Sequence, residues 1–256
     1  PGLSGQREAL YVDVADLGWG NTILAHEFQH LLHNARDPFE YAWIDEGNAD
    51  MAAYLCFGAT GAVIGHANAW AQAPHISVRW WDQSLADYGA GFLFMLYLAS
   101  KLGGGQAIRA LVSDTATGGA GIENLARNPI PGSPGNIGST MDDIFANFTI
   151  ATLLDSSQNP FGLDNIDMYT GCGSGQFCTL QITDYNGAWG STWTRLGDDL
   201  WGWGVRAYKF IQGTGAPLNV MVQASEVDFG GRLLYKDVAS GTWVAEELVF
   251  NGGMAT

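Results

Sequence analysis

Apolar residues recur at spacings of three and four through the first 155 or so positions, the repeat of helices with one buried side. Leu24, Phe28, Leu31 and Leu32 mark one such stripe, and the repeat predicts further helices over 42–57, 60–71, 88–102, 106–113, 121–127 and 140–155. The run 88–102 is the most apolar, with Phe92, Leu93, Leu96 and Tyr97 alongside a lone Lys101, and Gly103-Gly104-Gly105 stops it. In 140–155, Met141, Ile144, Phe145, Phe148 and Leu153 fall on one side, with Ser139 as the expected cap. Asn21 or Thr22 is available to cap the first helix, which follows a turn at 18–22. Asp37-Pro38 breaks the chain before 42–57, and the Pro- and Gly-rich 128–136 reads as a turn-rich loop. Between helices, 74–87 reads as a loop long enough to serve a function, and it carries His75, Arg79, Trp80 and Trp81.

Strand-type patterning appears at both ends. Residues 9–14 (Ala-Leu-Tyr-Val-Asp-Val) read as a strand directly before the first helix. From about 160 onward Gly, Thr, Trp and Tyr dominate, and 206–211, 218–223, 232–236 and 247–250 are strand-like at spacings near those of a β-sandwich. The fold class expected is α+β. Residues 1–160 form a mainly helical domain with a short N-terminal β element, and 161–256 a small sandwich-like β domain without catalytic motifs, whose Trp residues read as core.

Charge narrows the partners. Acidic residues outnumber basic ones 26 to 11, for a formal charge of −15, so the Lys and Arg clusters that grip phosphate are missing, and neither nucleic acid nor an anionic membrane is an expected partner. No run approaches the length of apolar chain that a membrane helix needs. Only 14% of residues are charged while Gly (35) and Trp (10) are abundant, which suits an extracellular surface. Pro1-Gly2-Leu3-Ser4-Gly5 has neither the basic start nor the apolar core of a signal peptide, so for a secreted protein that segment is expected to have been removed or to lie upstream. Of the three cysteines, Cys56 reads as a buried, unpaired thiol within an apolar run. Cys172 and Cys178 flank a short Gly-rich loop and are expected to form a local disulfide, with a free pair as the alternative. Asn147-Phe-Thr has the form of a glycosylation acceptor but falls inside a predicted helix and is set aside.

The chemistry concentrates at His26-Glu27-Phe28-Gln29-His30 and, after a loop, Asp45-Glu46-Gly47-Asn48-Ala49-Asp50. On a helix, His26 and His30 project from one side a turn apart and form a two-point clamp for a metal ion. A catalytic zinc site takes three protein ligands and keeps a position open, and Glu46, opening the next helix, is the expected third. Asp50, a turn beyond Glu46, can accept the free ring N–H of a ligand histidine and fix its tautomer. Glu27 is offset about 100° around the helix from His26, so it can face an activated water without touching the metal. His33 reads as a wall or outer residue, because one helix cannot easily aim three rings at one ion. Calcium at some of the surplus carboxylates is the other cation considered, without an EF-hand-type loop to hold it.

The pair His26-Glu27-x-x-His30 and Glu46-x-x-x-Asp50 resembles the gluzincin peptidases. The wider wording, Leu24 through His30 and Trp43-Ile44-Asp45-Glu46-Gly47, is most similar to the hyicolysin-type secreted bacterial metallopeptidases. The likeness is strong over roughly 10–57, looser to about 155 and absent beyond. Asp45 stands where thermolysin-like enzymes usually carry Asn, and the interval from His30 to Glu46 is shorter than theirs, so their detailed geometry is not carried over.

The resemblance implies a zincin-like catalytic domain and a secreted, zinc-dependent endopeptidase acting on a protein or peptide substrate. The ion would acidify a water and polarise the scissile carbonyl, while Glu27 takes the water proton and passes it to the leaving amine. It also implies a Tyr or His donor for the oxyanion. Tyr88 is the first candidate and His75 the second, whereas His66, in an Ala-rich helix, reads as structural. Two other classes stay open: a binding or adhesion module with a degenerate metal site, and a metal-dependent hydrolase of a non-peptide substrate. The sequence also leaves the oligomeric state open.

Overall fold

The computed structural model describes residues 20–186, 199–211, 221–223, 229–251 and 254–255. The strand expected at 9–14 lies outside them. Among the described residues the chain is mixed α and β, with seven helices followed by short strands. The helices are α1 (Gly20–Asn34), α2 (Ala42–Phe57), α3 (Gly61–Gln72), α4 (Leu85–Leu102), α5 (Gly105–Ser113), α6 (Gly119–Arg127) and α7 (Met141–Leu154). The strands are β1 (Met168–Tyr169), β2 (Phe177–Cys178), β3 (Ile182–Asn186), β4 (Ala207–Ile211), β5 (Val222–Gln223), β6 (Arg232–Lys236), β7 (Trp243–Glu247) and β8 (Met254–Ala255). They pair in twos: β1 with β2, β3 with β4, β5 with β8 and β6 with β7. No helix among the described residues is long and apolar enough to cross a membrane.

The chain divides into two compact units. One holds Pro1–Ile182 and Asp198–Ala207, the other Thr183–Gly197 and Tyr208–Thr256, so the first unit runs past position 160. Its centre is α4. Every residue from Gly89 to Leu102 is buried, as befits a helix apolar on all sides, and α2, α3, α5 and α7 pack around it. Lys101, 2% exposed, is the charged exception in that stretch, and its ammonium lies 2.9 Å from both carboxylate oxygens of Asp164. A cation taken out of water needs such a partner. Trp70 of α3 stacks on Phe148 of α7, and Phe94 of α4 meets the same ring edge-on.

Glycines let two helices approach α4 closely. A β-carbon on Gly47 of α2 would lie 2.7 Å from the Gly91 backbone, and one on Gly89 would overlap the His66 carbonyl oxygen of α3. Only residues without a side chain fit at these crossings.

Several boundaries differ from the sequence reading. α1 already includes Asn21 and Thr22, so neither is its cap. α4 begins at Leu85 and not at 88, because the Ser84 hydroxyl accepts from the Asp87 N–H and the Asp87 carboxylate accepts from the Ser84 N–H, a reciprocal cap. Thr140, not Ser139, caps α7, its hydroxyl accepting from the Asp143 N–H. Cys56 is free as expected but exposed, not buried: α2 spends its buried side on Trp43, Ile44, Gly47 and Met51, and its last turn, Leu55 to Phe57, faces solvent. Cys172 and Cys178 are bonded, with Cα atoms 5.2 Å apart.

In the second unit, β6 and β7 form an antiparallel hairpin running from Arg232 opposite Glu247 to Lys236 opposite Trp243. The turn between them is held by the Asp237 carboxylate, which accepts from the Ser240 N–H, and by Gly241 at φ +70°. The strand expected at 247–250 therefore ends at Glu247, since the short turn brings residues 243–247, not later ones, opposite β6.

Candidate metal centre

α1 turns its imidazoles, not its leucines, toward α2. His33 is buried, while Leu24 (43%), Phe28 (52%) and Leu32 (48%) are exposed. The chain reverses directly after the helix, with the N–H groups of Arg36 and Asp37 both bonded to the His33 carbonyl. α2 then returns antiparallel enough to set Asp45, Glu46 and Asp50 against His26, His30 and His33. Gly47, the residue after Glu46, carries α2 to its close crossing with α4 at Gly91.

Three donor atoms converge. His26 Nε2 lies 3.2 Å from His30 Nε2, and Glu46 Oε2 lies 3.1 Å from the first and 3.3 Å from the second. A tetrahedral zinc with ligands at ~2.0–2.1 Å spaces them about 3.3–3.4 Å apart, so the triangle has the edges of one face of such a site. His26, His30 and Glu46 are the one group among the described residues that brings three such donors together for an ion.

Both ring faces that point away from this triangle are anchored. His26 Nδ1 lies 2.9 Å from Asp50 Oδ1, and His30 Nδ1 lies 2.9 Å from Asp45 Oδ2. With Nδ1–H donated to a carboxylate, a ring that gives up its second proton presents the Nε2 lone pair, the form that binds a metal. Each carboxylate meets a further histidine. Asp50 Oδ2 lies 2.7 Å from His66 Nδ1, and Asp45 Oδ1 lies 2.7 Å from His33 Nδ1, the latter off the line of a straight hydrogen bond. The order is His33, Asp45, His30, the donor triangle, His26, Asp50, His66.

Electrostatics follow from that crowding. Burial is the largest single influence on His26 and favours its neutral form. The hydrogen bonds to Asp50 and Glu46 outweigh it and push the pKa up to about 9. His30 is likewise pulled down by burial but pushed up to about 10 by Asp45 and Glu46. Burial would raise the carboxylates, yet the imidazoles hold Asp45, Glu46 and Asp50 below the usual carboxylate range. Three carboxylates around two inner rings make a pocket that demands positive charge, supplied by protons or by a metal dication.

Glu27 is exposed on α1, next to His26 in the chain. Burial, then the charges of Glu46, Asp50, Glu27 and Asp87, raise the Tyr88 hydroxyl above the usual tyrosine value. The Tyr88 ring centroid is 6.2 Å from that of His26, 4.9 Å from that of His66, on which it stacks, and 4.8 Å from that of Trp81, met edge-on. Tyr88 thus packs between His66 and Trp81, with the His26 ring nearby. His75 is not among the residues gathered there: it follows α3, and its carbonyl accepts from the Trp201 N–H. Sequence reasoning undervalued His66 and gave Asp45 no role. No local pattern signalled either, because their partners are set by how α1, α2 and α3 cross.

Comparison of the chain with protein-family models gives no match, and comparison with curated proteins gives none either.

Proposed function

We propose that the chain is a zinc-dependent endopeptidase of the gluzincin type, similar to the hyicolysin-type secreted enzymes. The observation that carries this reading is the donor triangle of His26, His30 and Glu46, with edges of 3.1–3.3 Å and both Nδ1 atoms engaged by carboxylates. When bound, zinc supplies an acidified water and polarises a carbonyl. His26, His30 and Glu46 hold it, and Asp45 and Asp50 set the ring orientations. Glu27, exposed on α1, would take a proton from the attacking water and deliver it to the leaving amine. Tyr88 donates its hydroxyl to the oxygen that gains charge.

In this reading the helical unit is a zincin-like catalytic domain and the β-rich part a sandwich-like accessory domain. The Cys172–Cys178 disulfide supports an oxidising, extracellular setting. The test is elemental analysis of purified protein together with casein hydrolysis, with and without a chelator. About one zinc per chain and chelator-sensitive hydrolysis are expected. A chain that takes up less than about a tenth of an equivalent even after zinc is added, or hydrolysis indifferent to the chelator, would sink the reading.

A further inference from the structure

We propose that His66 is a positioning residue of this centre: by holding the second oxygen of Asp50 it fixes the carboxylate that orients His26, and by stacking it fixes Tyr88. The inference rests on the metal-site reading above but not on the peptidase activity.

Asp50 is nearly enclosed, its side chain 5% exposed, and both of its oxygens are spoken for. Oδ1 faces His26 Nδ1 at 2.9 Å and Oδ2 faces His66 Nδ1 at the shorter 2.7 Å. A carboxylate held at one oxygen can still rotate about its last bond. Held at both, its plane is set, and with it the direction in which Oδ1 meets the His26 ring. Orientation of a ligand ring by such an outer partner governs metal affinity. His66 is itself fixed at both ends. Its carbonyl is the atom that α4 approaches at Gly89, and its ring lies against Tyr88, the residue just before that glycine. One side chain on α3 therefore ties α1, α2 and α4 together at the donor triangle. With 20% of its side chain exposed, the imidazole had access to water, yet its Nδ1 turns inward to Asp50.

This role differs from ordinary packing in that it needs a donor at the position of Nδ1 and Asp50 to receive it. His66→Asn keeps an amide nitrogen close to that position. His66→Gln carries the same group one carbon further, near the place of Nε2, and His66→Leu fills the space without a donor. Zinc affinity is measured on the full chain by competition with a chromophoric chelator, alongside thermal unfolding of the metal-free protein.

The expected result is a loss of about ten- to a hundredfold in zinc affinity for His66→Leu and His66→Gln, the range for removing an outer partner. Most of it should return in His66→Asn, and adding His66→Leu to Asp50→Asn should cost little more than Asp50→Asn alone. Equal affinity of His66→Leu and wild type overturns the proposal, as do additive losses with Asp50→Asn. Should His66→Leu fail to fold, Asn against Gln decides: equal losses in the two overturn it, and retention by Asn alone supports it. A wild-type chain that binds no zinc overturns the metal reading instead, a distinct outcome.

Discussion

Two glutamates twenty or so residues apart have opposite surroundings, and the proposed tasks follow from them. Glu46 lies within 3.3 Å of both ring nitrogens, whereas Glu27 faces solvent. Replacing Glu46 by Ala should strip the centre of metal, and Glu27→Ala should keep zinc while hydrolysis disappears. Parallel zinc analysis and rate measurement on the two variants check this, and equal metal loss in both contradicts the division. Tyr88→Phe should keep zinc and fold while kcat falls about a hundredfold or more, the cost of one lost oxyanion donor; unchanged kcat/KM would remove Tyr88 from the chemistry. The residues read most easily from sequence were those whose relation is set within one helix, since His26 and His30 need only the helical repeat. Glu46 and Asp50 followed from the same repeat on the next helix. Asp45 and His66 were harder, because their partners are chosen by the way α1, α2 and α3 cross, which no local pattern encodes. Cys56 failed for a related reason: an apolar run indicates burial only where a neighbouring helix extends far enough to cover it.

Helices hold this centre through contacts between backbones as much as between side chains. Gly89→Ala should force α3 and α4 apart at the His66 carbonyl, with a loss of about 1–3 kcal/mol in stability by denaturant unfolding. It should also displace Tyr88, so activity should fall further than stability alone explains; a fully stable, fully active Gly89→Ala protein would show that the crossing tolerates a methyl group. Ser84→Ala removes one half of the reciprocal cap on α4 and should cost roughly 1 kcal/mol without touching the metal. The existence of every helix among the described residues was legible in the sequence. Their starts were less so: Ser84 and Asp87 carry the signature of a cap, but an aromatic-rich loop before them masked it. In the second unit the β6–β7 hairpin was only half seen. Arg232-Leu-Leu-Tyr-Lys reads as a strand from composition, whereas its partner Trp243-Val-Ala-Glu-Glu gains its identity from the turn that pins the register.

At the scale of the whole molecule, the crowded charges couple stability to pH in opposite ways with and without metal. In the metal-free protein His26 and His30 are raised to about 9 and about 10. The folded state then binds protons more tightly than the unfolded one. The stability this provides is fully present below the ordinary histidine value of about 6.5 and is lost as pH rises through 9 to 10. Asp45, Glu46 and Asp50 are lowered, so their contribution is present above the ordinary carboxylate range of about 4 and is lost as pH falls below it. Zinc takes the place of the ring protons, since ligand histidines must be neutral, and its binding therefore releases protons and strengthens with pH. Because a ligand bound only by the folded state stabilises it in proportion to the logarithm of its affinity, the gain in Tm on adding zinc should widen from pH 5 through pH 7 to pH 9. Thermal unfolding at these three values, with free zinc held constant by a metal buffer, is the measurement. A gain that stays level across the series would mean that the inner rings carry no protons to displace, and the ion pairs drawn between them and their carboxylates would be wrong.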